Sequence, residues 1–209
     1  MTAINANIEE ILATAIGFVN AGHREQARML CAHAASCLPP HAGVLQLFAV
    51  LELRQGSAAQ ARLHAAASLA LRPDHIPTLL VASDGARAEG DLAASSDILE
   101  RVVKLLPAHV NAWFQLALVR QDLQDLSGAI AALREVLRRE PERADAEVNL
   151  GIVLQEIGKI DEAMRAYGRA YRLREETFGR IAHALSTPNV GRLWLNLEAL
   201  RVALHECAA

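Results

Sequence analysis

Four residues within one short stretch carry ligand chemistry: Cys31, His33, Cys37 and His41. Thiolate and imidazole are the donors zinc prefers, and His33 and Cys37, four apart, share a face if the stretch is helical. The competing reading is packing, because Cys31 and Cys37 sit at phases that are apolar further along the chain, and a free cysteine behaves as a small hydrophobe. A second pattern is formed by His41, His75 and His109, which recur every 34 residues. Such a row either serves a repeated turn or protonates near pH 6 and changes the binding of a charged ligand. Neighbours in it would stand roughly 10 Å apart at ordinary helix spacing, too far to share one metal ion. Cys207 lies near the C-terminus, away from these groups. Three cysteines are an odd number, and reduced thiols are expected. No glycine-rich phosphate loop and no local acid–base motif is present, so neither catalytic residues, a metal nor a cofactor is expected.

The elements that position these residues follow from composition and punctuation. Apolar residues make up 52% of the 209 residues but aromatics only 4%, which argues for helices rich in Ala and Leu and against a β-sandwich, a barrel or disorder. A net charge of −3 without clustered Lys or Arg is a poor footprint for nucleic acid. No apolar run is long enough for a membrane span, and no basic leader precedes an apolar stretch, so a cytoplasmic protein is expected.

Pro39, Pro73, Pro107 and Pro141 are spaced by 34 residues without insertion. Proline lacks the amide donor and clashes with the preceding turn, so each closes a helix at the same phase. Gly22, Gly56, Gly90 and Gly158 share that period and suit a left-handed helix end. Ala27, Ala61, Ser95, Ala129 and Ala163 form a third series, placing a small residue where two helices approach closely. Each unit reads as helix, turn, helix, proline.

In this register the chain resembles the tetratricopeptide repeat. The unit 110–143 carries Trp113, Leu116, Ala117, Ala129, Val136 and Pro141 at the family's motif positions and departs at Arg120 and Leu133. The unit 144–177 carries Leu150, Gly151, Leu154, Ala163, Tyr167 and Ala170 and departs at Glu147 and Glu175. Units 8–41, 42–75 and 76–109 match in phase more loosely, with Glu52 and Ala86 where the family has an aromatic. Ala82, Ser83 and Ser95 make the third unit small. A lead of residues 1–7 precedes five units over 8–177. Residues 178–209 start a sixth first helix with Ile181, Ala184 and Leu185, end it at Pro188, and turn through Thr187, Asn189 and Gly191. A last helix follows, with Leu193, Trp194, Leu195, Leu197, Leu200 and Leu204, read as a cap or as a docking or dimerisation helix. The resemblance implies an all-α, right-handed superhelical solenoid of antiparallel helix pairs with a C-terminal capping helix.

It also implies that ligands meet the first helices on the concave side. Those positions are Leu12 and Ile16; Gln46 and Val50; Leu80, Asp84 and Arg87; Phe114, Leu118 and Gln121; Val148, Ile152 and Gln155. His41, His75 and His109 stand at the groove mouth. Arg87 is the one cation among them, so the family's carboxylate clamp for chaperone C-termini is not expected, and the asparagine ladder of other members is missing. The remaining surface is largely aliphatic. It suits an apolar peptide or amphipathic helix, or it packs first helix against first helix. The functional expectation is a non-catalytic protein-interaction scaffold. The alternatives are a self-assembling oligomer, a homodimer among them, that uses the groove or the last helix, a secretion-type chaperone, or an accessory subunit of an enzyme.

Overall fold

The computed structural model describes residues 2–37, 39–186 and 197–207. They divide into two compact units, Met1–Leu105 and Leu106–Ala209. The first contains α1 (Thr2–Asn20), α2 (Arg24–Cys37), α3 (Ala42–Arg54), α4 (Ala58–Leu71), α5 (Ile76–Ala88) and α6 (Leu92–Leu105). The second contains α7 (Val110–Asp122), α8 (Leu126–Arg139), α9 (Ala144–Glu156), α10 (Ile160–Leu173), a 3-10 turn (Glu175–Thr177), α11 (Phe178–Ser186) and α12 (Leu197–Glu206). No strand occurs among the described residues, and consecutive helices pack as antiparallel pairs. Helix α1 takes in residues 2–7, which the repeat register leaves outside its first unit.

The turns explain why the pairs recur. Gly22, Gly56, Gly90 and Gly158 all have φ near +80°, the left-handed conformation that glycine adopts without penalty. After each, an amide reaches back five residues, as Ser57 N–H to the Glu52 carbonyl at 2.9 Å and Lys159 N–H to the Leu154 carbonyl at 2.9 Å. This bond satisfies a carbonyl that the helix end would leave orphaned. The α7–α8 turn keeps the geometry without the glycine: Gln124 takes φ 61°, and Asp125 N–H meets the Arg120 carbonyl at 2.8 Å. A non-glycine residue there costs about 1 kcal/mol, and Asp125 offsets part of it by capping α8, its Oδ1 accepting from Gly128 N–H at 3.0 Å.

Helices α2, α4, α6 and α8 each end two residues before the proline of the series. Helix α10 ends at the same phase, at Leu173, although Glu175 stands where the proline would be, and the 3-10 turn then leads into α11. All five small residues of the third series, Ala27, Ala61, Ser95, Ala129 and Ala163, are buried.

The cores of the units are built differently. In the first, Ile8, Cys31, Val44, Phe48 and Leu51 form one cluster, and Ala49, Ala65 and Ala82 another. Hydroxyls fill in: buried Ser83 and Ser95 share an Oγ–Oγ bond of 2.8 Å, and Ser68 Oγ donates to the Ala42 carbonyl at 2.8 Å. In the second, one cluster runs from Ala117 and Leu133 through Leu150, Leu154 and Tyr167 to Ile181, Leu185, Leu200 and Leu204. The ring of Tyr167 lies against Gly151, so close that a Cβ there would collide with Cδ1, Cε1 and Cζ. Helix α12 docks on α10, where Gly168 lets the Leu204 carbonyl approach to 2.8 Å of the place a Cβ would take. Arg172 Nη1 donates to the carbonyls of Leu204 at 3.2 Å and Cys207 at 3.0 Å, closing the C-terminal end of α12. Leu200 and Leu204 are buried, as expected of the last helix, but Leu197 is 55% exposed. Thr187, Pro188, Asn189, Gly191, Leu193, Trp194 and Leu195 lie outside the described residues.

Candidate functional site

In the first unit the first helices α1, α3 and α5 lie side by side. Leu12 is half-buried in the first core cluster and sits near Gly43 of α3, where an added Cβ would be 3.1 Å from Leu12 Cδ1. This residue therefore packs first helix against first helix. Ile16, one turn on, is 48% exposed, while Gln46, Val50 and Leu80 are half-buried. Asp84 and Arg87 close this face on α5 with a loose ion pair of 3.9 Å. Burial pushes the Asp84 carboxyl above the usual carboxylate range, and the Arg87 charge opposes that only in part.

In the second unit α7 and α9 carry the corresponding residues. Phe114 is half-buried beneath the Arg143 guanidinium, whose Cζ stands 4.4 Å from the ring centroid. Arg143 is held there by Asp145 Oδ1 at 3.0 Å, Asn111 Oδ1 at 2.9 Å and Glu140 Oε2 at 3.1 Å. Leu118 and Ile152 are half-buried. Gln121 Nε2 donates to Glu156 Oε1 at 2.7 Å, tying α7 to α9.

Val148 and Gln155 are withdrawn from this surface. Val148 is fully buried in the core. Gln155 accepts from the Tyr167 hydroxyl at 2.9 Å and donates to the Ala184 carbonyl at 2.9 Å, so it bridges α9, α10 and α11. Burial raises the pKa of the Tyr167 hydroxyl, with the Glu156 charge adding to the shift, and keeps it a donor. A partner could reach neither residue without opening the core, because α11 covers the end of α9.

The three histidines stand at the N-caps of α3, α5 and α7. His109 Nδ1 accepts from Ala112 N–H at 3.0 Å, and His75 Nδ1 is 2.8 Å from Thr78 Oγ1. Both serve the first turn of the following helix. His41 Nδ1 is buried without a hydrogen-bond partner among the described residues. Burial lowers the pKa of His75, helped by the charge of Arg72.

Among the described residues no group of three His, Cys, Asp or Glu is placed to hold a metal ion. Cys31 is buried, and desolvation pushes its thiol up to about 11, which disfavours the thiolate a metal would need. His33 is exposed, and the side chain of Cys37 lies outside the described residues. No helix among the described residues is long and apolar enough to cross a membrane.

Features missed in the residue pattern are the Arg143 cover over Phe114 and two polar clefts at the ends of the second unit's helices. One, of about 720 Å³, includes Asn111, Glu140, Arg143, Asp145 and Arg174. Its neighbour, of about 760 Å³, shares Asp145 and Arg174 and adds Glu175, Glu176 and Arg180. The signal for Arg143 was its phase, since it occupies the repeat position held elsewhere by His41, His75 and His109.

A tetratricopeptide-repeat family model matches residues 120–170. A Pseudomonas putida protein named as a probable biofilm formation methyltransferase, WspC, is 36% identical over 95 residues, 46% of this chain. The chain spans about a fifth (22%) of that relative's length. Solved structures of MamA share the fold. One has a TM-score of 0.76 at 17% identity and covers 85% of this chain and 95% of that one. Another, MamA from residue 41 onward of Desulfovibrio magneticus RS-1, has a TM-score of 0.75 at 18% identity, covering 80% and 95%.

Proposed function

We propose, for a chain that belongs to the tetratricopeptide-repeat proteins, a non-catalytic role as a protein-interaction scaffold that takes an apolar segment of a partner on the first-helix faces of its units. The observation that carries this reading is the aliphatic surface of those helices: Ile16, Val50 and Leu80 in the first unit, Leu118 and Ile152 in the second, are neither sealed in a core nor paired with polar groups. Half-buried aliphatic side chains on adjacent helices suit a segment that supplies apolar anchors at alternate or helical spacing. Arg143, stacked on Phe114 and presented beside Asp145 and Asn111, supplies a polar edge for the second unit's face. Leu12 is excluded from the contact set by its packing, as are Val148 and Gln155 by burial.

The test compares proteins captured from a lysate by the wild-type chain and by two variants, Ile16→Asp and Leu118→Asp with Phe114→Lys. Variants that remain helical and lose the captured partner support the reading. Folded variants that retain it remove the first-helix faces from the site.

A second reading is favoured by the partial match to a protein named as a methyltransferase, in which the similar stretch occupies a small share of the length. On that reading the chain is an accessory subunit that works beside a catalytic partner, and it co-purifies with one. Sedimentation over a concentration range tests self-assembly: a monomer at all concentrations removes that alternative.

A further inference from the structure

The first-helix face of the first unit holds a carboxylate that its aliphatic character does not explain. Ile16, Val50 and Asp84 are 34 residues apart, so on the adjacent helices α1, α3 and α5 they fall in one row across the face. Other acids of this unit hold an arginine closely: Glu89 holds Arg62 at 2.6 Å, Asp74 holds Arg101 at 2.7 Å, and buried Glu52 holds Arg28 at 3.3 Å. Asp84 is the weakly held member. Its ion pair with Arg87 is 3.9 Å long, beyond hydrogen-bond distance, and the Arg87 side chain is itself 56% exposed. The Asp84 side chain keeps only 36% of its exposure, and burial raises its carboxyl pKa against the Arg87 charge. It has therefore lost much of its hydration, and no hydrogen-bond donor among the described residues replaces the water.

We infer that Asp84 selects the partner of this face: an amphipathic helix whose apolar stripe is continued by a lysine or arginine, which donates to the Asp84 carboxylate. The inference rests on the first-helix reading proposed above and adds a charge to it. A purely apolar segment lying over Ile16 and Val50 would finish removing water from Asp84 and leave the carboxylate without a donor, which is costly. An acidic residue at that place would add repulsion. A cation there replaces the lost water with a charge-assisted hydrogen bond, in a partly dehydrated setting where such a bond is stronger than on an open surface. Arg87 does not preclude the contact, because at 3.9 Å it leaves carboxylate lone pairs open. Spacing fixes the pattern of the occupant. Helices packed at roughly 10 Å place Val50 and Asp84 about seven residues apart along an α-helix that crosses the row, so the cation lies about one heptad beyond the last apolar anchor.

The experiment measures fluorescence anisotropy of three fluorescein-labelled helical probes of alanine and glutamine with the full chain. Each probe carries leucines along one face, and lysine, glutamine or glutamate about seven residues beyond each end of the leucine stripe. The expected order of affinity is lysine, then glutamine, then glutamate, with lysine ahead of glutamine by about tenfold. Asp84→Asn abolishes the lysine preference, and Asp84→Lys turns the order round in favour of glutamate. Both positions of charge are tested on a partly exposed side chain, and circular dichroism checks that each variant keeps its helices. Ile16→Gln weakens all three probes alike, since it removes an anchor and no charge. Equal affinity for the lysine and glutamine probes, or a lysine preference that survives Asp84→Asn, overturns the role of Asp84; a loss of binding in Ile16→Gln then leaves the reading of the face intact. Probes that do not bind, or that bind without responding to Ile16→Gln, overturn the reading of this face and the inference with it.

Discussion

The first unit supplements an apolar core around Phe48 and Leu51 with small residues and buried hydroxyls, the second with a buried tyrosine and longer polar bridges. In the first, Ala61, Ala65 and Ala82 lie in the interior, Ser83 bonds Ser95, and Ser68 on α4 bonds a carbonyl of its partner helix α3. In the second, Tyr167 fills the space over Gly151, Gln155 joins three helices, and Leu200 and Leu204 extend the core into the terminal helix. The same repeat phase thus admits two solutions to one packing problem. Where side chains are small, backbones approach and hydroxyls must find partners; where they are large, a glycine must yield the space.

The largest expected effect is on the second unit's reliance on bulk. Leu204→Ala should cost about 3 kcal/mol, since it leaves a cavity and loosens α12 from α10; urea denaturation with hydrogen exchange resolved to each unit would show the loss confined to the second. Gly151→Ala comes next, at about 2 kcal/mol, because the new methyl overlaps the Tyr167 ring. A neutral outcome would mean the ring moves freely, and the contrast between the units would then be overstated. In the first unit Ser83→Ala should cost about 1 kcal/mol by removing the partner of the buried Ser95 hydroxyl.

A smaller effect has the opposite sign. Gln124→Gly should stabilise the α7–α8 turn by about 0.5 kcal/mol, because glycine takes the left-handed conformation without the Cβ penalty. Equivalent replacement of Gly56 by glutamine should destabilise, and a thermal shift of the same sign in both variants would refute the account of the turns.

The least effect is on pH dependence. Burial lowers the folded-state pKa of both His64 and His75, in the first unit. The unfolded chain therefore binds protons more readily, and this contribution to stability is present above the unfolded histidine value of about 6.5 and lost as pH falls through it. Melting temperatures at pH 7.5 and 5.5 should differ by less in His75→Gln than in the parent. Equal differences would remove His75 from the effect.

Much of the architecture was legible because punctuation is local chemistry. Proline and glycine act through their own backbone constraints, and the helices end where those residues predict. Gln124 escaped that reading, since glutamine carries no preference for positive φ and only the surrounding helix pair holds it there. At the end of α10 Glu175 replaces the expected proline, yet the helix stops at the same phase. The small-residue series was also readable, because a repeated alanine signals close approach whatever the neighbours are.

The candidate site was legible only in outline. Phase alone placed Leu12, Val148 and Gln155 beside Ile16 and Leu118, although the first packs against α3 and the other two are buried. Phase says which way a side chain leaves its own helix; whether another helix covers it depends on residues far along the chain, as Ala184 covers Gln155. The periods, the helix ends and the apolar character of each face were determined by the sequence itself, through backbone constraints and 3.6-residue spacing that act within a few residues. Which apolar residues stay accessible, that Arg143 lies over Phe114, and that Asp84 is half-buried with only a loose ion pair were decided only by the tertiary structure. Burial and charge pairing are properties of neighbours in space, and no local rule carries them.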